Sequence, residues 1–171
     1  MCLLYVPAGL HAQNVISSKP AELQLMGTTI DGDGIVVQSS DLVIVYKPGI
    51  EVSGDLLLGS LTTDDPEITK ILASSAIQGI TFETTLPPDR FVFGQETEAS
   101  FSAEATLYAG ELTYRFIIDF VISHSRVSDT NTFLITGIGT LSMSELGIMD
   151  LPGFKDAFRF QFRQNVTSRK Y

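Results

Sequence analysis

Alternation of apolar and polar side chains is strongest in the second half of the chain. Leu112, Tyr114, Phe116, Ile118, Phe120 and Ile122 take every second position, between Thr113, Arg115, Asp119 and Ser123, with Ile117 and Val121 as exceptions. Phe158, Phe160 and Phe162 alternate with Arg159, Gln161 and Arg163 in the same way. A period of two marks strands with one buried face and one wet face. Thr, Val, Ile and Phe are frequent elsewhere too, and turn signals recur, which predicts an all-β domain.

The first half adds shorter elements. Ala21 to Thr29 reads as a strand, followed by Asp31-Gly32-Asp33-Gly34, whose Asp-Gly pairs suit a tight turn. Ile35 to Tyr46 and Ile50 to Leu58 read as strands divided by Lys47-Pro48-Gly49, where Pro fixes φ and Gly permits the reversal. Asp65-Pro66-Glu67 breaks the pattern: Asp as N-cap, Pro at the first position and Glu in the first turn predict a helix. Ile68, Ile71 and Leu72 then share one face, and the helix is expected over Pro66 to Ser74. Strands resume over Ile77 to Leu86, end at Pro87-Pro88-Asp89, and leave a short extended piece at Phe91 to Phe93. Long antiparallel strands with one apolar face either pair as two sheets or close into a barrel, and closure removes exposed edges.

Composition narrows the function classes. At 171 residues the chain fits one domain. With 44% hydrophobic and 18% charged residues it can bury a core. A net charge of −9 argues against a nucleic-acid partner, whose phosphates need Lys and Arg. No apolar run approaches the roughly 20 residues of a transmembrane helix. One cysteine, Cys2, excludes an internal disulfide and a cysteine-based zinc site. Residues 1–12 are apolar and uncharged apart from His11, and end Leu10-His11-Ala12 before Gln13. They are expected to be the tail of a signal peptide, leaving 13–171 as a single domain in the periplasm or outside the cell.

Several short motifs occur in a telling order. Ser60-Leu61-Thr62-Thr63-Asp64 precedes the helix, Ile80-Thr81-Phe82-Glu83-Thr84 forms a strand, and Ala105-Thr106-Leu107-Tyr108-Ala109-Gly110 forms a hairpin arm. Thr136-Gly137-Ile138-Gly139-Thr140-Leu141-Ser142-Met143-Ser144-Glu145-Leu146-Gly147-Ile148 leads to the last amphipathic strand. Together, over roughly residues 20 to 168, these resemble the YceI-like lipid-binding (polyisoprenoid-binding) family. The chain departs from the family pattern at Met143, Leu146 and Ser75-Ala76-Ile77, and Tyr108 or Ala109 stands where the family has His. The resemblance implies an eight-stranded antiparallel, lipocalin-like barrel with one short helix. It also implies an exported protein that carries a long-chain apolar lipid such as an isoprenoid, quinone or fatty-acyl ligand, with no dedicated cofactor. A homodimer is compatible with it.

Such a barrel either fills with side chains or holds one small ligand. If the odd positions of the seventh strand face inward, they read Ile135, Gly137, Gly139, Leu141, and a strand expected to lie opposite reads Phe101, Ala103, Ala105, Leu107. Small residues facing small residues would make a channel, with Tyr114, Phe116, Ile118, Phe120, Phe158, Phe160 and Phe162 completing its lining. The alternative is a structural or adhesive domain in which the glycines serve strand coiling and the phenylalanines fill the space. If the channel exists, Gly139→Phe is expected to narrow it without unfolding the barrel.

Catalytic and metal chemistry find little support. Ser123-His124-Ser125 places Ser and His on opposite faces of a strand, and no orienting acid or nucleophile elbow accompanies them, so His124 is expected to be a solvent-exposed strand-end residue. Asp31-x-Asp33-Gly34 lacks the later ligands of a calcium loop and reads as a turn. Lys155, Arg159, Arg163, Arg169 and Lys170 make the final strand basic, in balance with the acidic body. The sequence therefore reads as a non-catalytic carrier.

Overall fold

The structure is a computed structural model, and it describes residues 15–17, 19–46, 51–74, 77–86, 98–127, 130–146 and 155–169. The strands are β1 (Val15–Ser17), β2 (Ala21–Thr28), β3 (Gly34–Tyr46), β4 (Glu51–Leu57), β5 (Gly79–Thr85), β6 (Glu98–Ala109), β7 (Leu112–Val127), β8 (Thr130–Ser142) and β9 (Ala157–Arg169). Strands β2 to β9 pair in sequence order, all antiparallel, and β9 pairs with both β8 and β2. The sheet thus closes into an eight-stranded barrel, and the short β1 pairs with the far end of β9.

Side-chain alternation fixes which face is inside. Strand β2 buries Ala21, Leu23, Leu25 and Gly27, and β9 buries Phe158, Phe160, Phe162, Gln164 and Val166. In β7 the buried series is Phe116, Ile118, Phe120 and Ile122, while Leu112 at the strand start is exposed and Ile117 points to solvent. A one-residue slip would turn all of these outward, so the alternation also locks the register.

The turns follow from local chemistry. Gly32 takes φ +101°, and Thr29 closes the β2–β3 turn through its carbonyl to the Gly32 N–H at 3.1 Å and its Oγ1 to the Asp33 N–H at 2.8 Å. Asp31 and Asp33 therefore belong to a turn, as expected. Gly110, at φ +61°, makes the two-residue β6–β7 turn between the paired Ala109 and Leu112. The Lys47-Pro48-Gly49 turn, the piece at Phe91 to Phe93 and the leader at 1–12 lie outside the described residues.

One barrel end carries a cap. After β4 the chain makes a 3-10 turn (Leu58–Ser60) and then α1 (Pro66–Ala73), the expected helix. Asp65 caps it, accepting from the N–H groups of Glu67 at 2.8 Å and Ile68 at 3.3 Å. Leu58, Leu61, Ile68 and Leu72 are the buried side chains of this cap. Thr62 exchanges two backbone hydrogen bonds with Gln38 of β3, which ties the cap to the wall. A second helical turn, α2 (Met143–Leu146), follows β8, and the Asp156 carboxylate holds it through the Ser144 N–H at 2.7 Å and the Ser142 hydroxyl.

Candidate functional site

Buried apolar side chains line the barrel interior from end to end. Away from the cap, Tyr46, Val52, Leu86, Ile122, Phe133 and Val166 belong to the buried core, none more than 7% exposed. Burial pushes the Tyr46 phenol above its ordinary ionisation range. Gln164, also buried, donates from Nε2 to the Lys19 carbonyl at 3.1 Å.

Beneath the cap lies a cavity of about 60 Å³. Leu23 and Leu25 of β2, Leu42 of β3, Gly54 and Leu56 of β4, and Ile80 and Phe82 of β5 border it. Leu107 of β6, Phe116 and Ile118 of β7, Leu141 of β8, and Phe160 and Phe162 of β9 continue the wall, and Leu58 and Leu61 form its roof. Every barrel strand contributes, and no lining side chain carries a polar atom. Such a space can solvate hydrocarbon, and water gains no partners there.

Aromatic rings run from the cavity wall into the rest of the core. Phe82 stacks on Phe162 at 6.0 Å between centroids, Phe162 meets Phe120 edge-on at 6.0 Å, and Phe120 stacks on Phe101 at 5.4 Å. A second file runs from Tyr114 to Phe116 at 6.1 Å and on to Phe160 at 5.6 Å. Offset and edge-on contacts of this kind stabilise a core beyond their buried area.

Of the residues expected to line a channel, Leu107, Phe116, Ile118, Leu141, Phe160 and Phe162 border the cavity. Ala103, Ala105, Phe120, Ile135 and Phe158 are buried but do not touch it, and Phe101 and Tyr114 are half-buried. Strands β6 and β8 do not face each other, because both flank β7 in the same wall. The glycines leave no gap either. A methyl group built on Gly137 would lie within 3 Å of the Phe162 ring, and one on Gly139 would come to 2.5 Å from the Phe160 ring and 2.6 Å from the Ile117 carbonyl oxygen. The space is occupied by rings from the neighbouring strand, and backbone also blocks it at Gly139. Gly139→Phe would therefore disrupt the wall and is no clean probe of a channel.

Nine lining residues had escaped the reading of the sequence, all from β2 to β5 and the cap. Leu23 and Leu25 alternate with Glu22 and Gln24, a legible signal. Leu58 and Leu61 belong to the cap, where no strand period applies.

The remaining polar candidates lie elsewhere. His124 is half-buried and stacks on Phe133 at 4.9 Å, so it is less open to solvent than expected. Arg159 and Arg163 are exposed on the outer face of β9. Among the described residues no three His, Cys, Asp or Glu side chains gather as a metal site, and no helix is long and apolar enough to cross a membrane.

No family model matches the chain, and no curated protein matches it either. Solved structures do. A polyisoprenoid binding domain from Saccharophagus degradans, implicated in plant cell wall breakdown, superposes with a TM-score of 0.71 at 10% identity, over 92% of this chain and 99% of that one. BcnA from Burkholderia cenocepacia superposes with a TM-score of 0.60 at 10% identity, over 85% of this chain and 95% of that one. The YceI protein of Campylobacter jejuni gives 0.48 at 11% identity, over the whole of this chain and 94% of that one. At such identities the likeness concerns the fold. The chain shares the fold of the polyisoprenoid binding domain and BcnA, and the eight-stranded barrel that the resemblance implied is borne out.

Proposed function

We propose that this barrel binds a slender apolar lipid chain, of isoprenoid, quinone-tail or fatty-acyl type, and carries it without chemical change. The wholly apolar lining, contributed by all eight barrel strands, is the observation that supports the reading most. The polyisoprenoid-binding description of the Saccharophagus degradans domain, which has the same fold, adds to it. With no polar group on the wall, the buried part of the ligand is hydrocarbon and any head group stays at the rim.

Size sets the terms of binding. A cavity of about 60 Å³ is smaller than the roughly 150 Å³ that takes one benzene in an engineered core. A long chain therefore enters only as side chains yield, and eight of the lining residues are leucines, which change rotamer more readily than aromatic or β-branched residues. Burying about ten carbons gains roughly 8 kcal/mol gross at about 0.8 kcal/mol per methylene. Association costs take part of this, so micromolar affinity needs more than about ten buried carbons or a contact at the rim.

The small cavity favours a second reading, a structural domain with a filled core. Organic extraction of protein purified from its native host, followed by mass spectrometry, separates the two. A stoichiometric apolar lipid supports carriage. Its absence, together with no uptake of added geranylgeraniol, favours the filled core. Export to the periplasm or medium rests on the apolar residues 1–12, and a mature N-terminus near Gln13 on the exported protein is the matching test.

A further inference from the structure

Four inward-facing glycines share one arrangement. Gly54 pairs with Phe82, Gly137 with Phe162 and Gly139 with Phe160 across adjacent strands, and Gly27 lies under Phe158. In each case the phenylalanine ring reaches over the glycine, and a built methyl group would lie within 3 Å of ring carbons. Only glycine lets a ring approach the backbone so closely.

The four positions differ in what else a methyl group would meet. At Gly139 it strikes the Ile117 carbonyl oxygen, and at Gly137 it also crowds Ile118. At Gly54 the three nearest atoms all belong to the Phe82 ring. Both Gly54 and Phe82 border the cavity. The ring is half-buried, and it stacks on Phe162, which also borders the cavity. A side chain at position 54 displaces this ring, and the free space next to it is the cavity.

We propose that Gly54 is the berth for the Phe82 ring and that this pair sets the depth of the cavity, and so the length of apolar chain the barrel accepts. The inference rests on the lipid-binding reading for its consequence, but the berth itself is a property of the empty barrel. With glycine at 54 the ring lies against the wall and the space beneath the cap stays open. With alanine the ring swings inward and shortens it. With the ring removed, position 54 no longer matters.

The test compares the parent with Gly54→Ala, Phe82→Ala and the double variant. Xenon titration by NMR reads the cavity without any lipid, and calorimetric titration with straight-chain alcohols of increasing length reads the accepted chain. Gly54→Ala is expected to weaken xenon uptake and shift the best alcohol to a shorter chain. Each excluded methylene weakens binding about fourfold, so two give about a fifteenfold loss. Phe82→Ala is expected to shift the optimum to longer chains, and the double variant to match Phe82→Ala. If Gly54→Ala behaves as the parent, or the double variant is as impaired as Gly54→Ala, the berth is refuted. A Gly54→Ala protein that does not fold while the double variant does also refutes it, because the ring then has no space to enter. If xenon follows the expected pattern while no alcohol binds the parent, the berth stands and the lipid reading falls. If the parent takes up neither xenon nor alcohol, there is no cavity for the pair to control.

Discussion

Phe162 is the side chain that joins the cavity wall to the rest of the core. Its ring stacks on Phe82, meets Phe120 edge-on, covers Gly137, and is 2% exposed. Replacing it with alanine removes a buried ring whose neighbours are held by closed sheet pairing and cannot collapse into the gap. The expected loss is about 3–5 kcal/mol, the range for phenylalanine truncation in a core. At about 2–4 °C per kcal/mol in this size class, the melting temperature falls by about 8–16 °C for a loss near the middle of that range. Arg163, the next residue, is exposed, and Arg163→Ala should stay within about 0.5 kcal/mol.

A second substitution makes the argument sharper. Gly137→Ala in the parent forces a methyl group into the Phe162 ring and should cost about 1–3 kcal/mol by overpacking. In the Phe162→Ala background the ring is gone, the nearest remaining contact is Ile118 at 3.1 Å, and the same change should be close to neutral. The coupling between the two sites is then about 1–3 kcal/mol. Urea denaturation of the four proteins measures it. Strict additivity, or a Phe162→Ala loss below about 1 kcal/mol, would refute the claim that this ring fills the glycine position.

Phe116→Asp places an unpaired charge on the cavity wall and should abolish the fold, whereas Arg115→Asp, on the exposed face beside Glu104, should leave the circular dichroism spectrum unchanged. Asp65→Ala removes both side-chain caps of α1 and should cost about 1 kcal/mol in urea denaturation, since an N-cap carboxylate is lost from two N–H donors. Burial raises the Tyr46 ionisation above its ordinary value of 10.0, so the folded chain keeps a proton that the unfolded chain releases. Its contribution to stability is present below that value and is lost as the pH rises beyond it, so Tyr46→Phe should flatten the fall in stability above about pH 10.

The sequence carried the strands far better than the cavity, for a physical reason. Facing is a local property with period two, so the buried series Phe116 to Ile122 and Phe158 to Phe162 could be read from neighbours along the chain. The helix at Pro66 was equally local, because its cap, its proline and its acidic first turn lie within three residues. A cavity depends on what stands across the sheet. Gly137 and Gly139 looked like a gap because their own strand is small there, yet the register sets Phe162 and Phe160 beside them and fills the space. Gly54 carries no signal of its own, since a single glycine in Val52-Ser53-Gly54-Asp55 has no pattern until the pairing with Phe82 is known. A run of small inward residues therefore counts as open space only after the rings of the adjacent strands have been placed. In this barrel that subtraction removes the expected channel along β8 and leaves a leucine-walled space under the cap, with Phe82 and Phe162 as its floor.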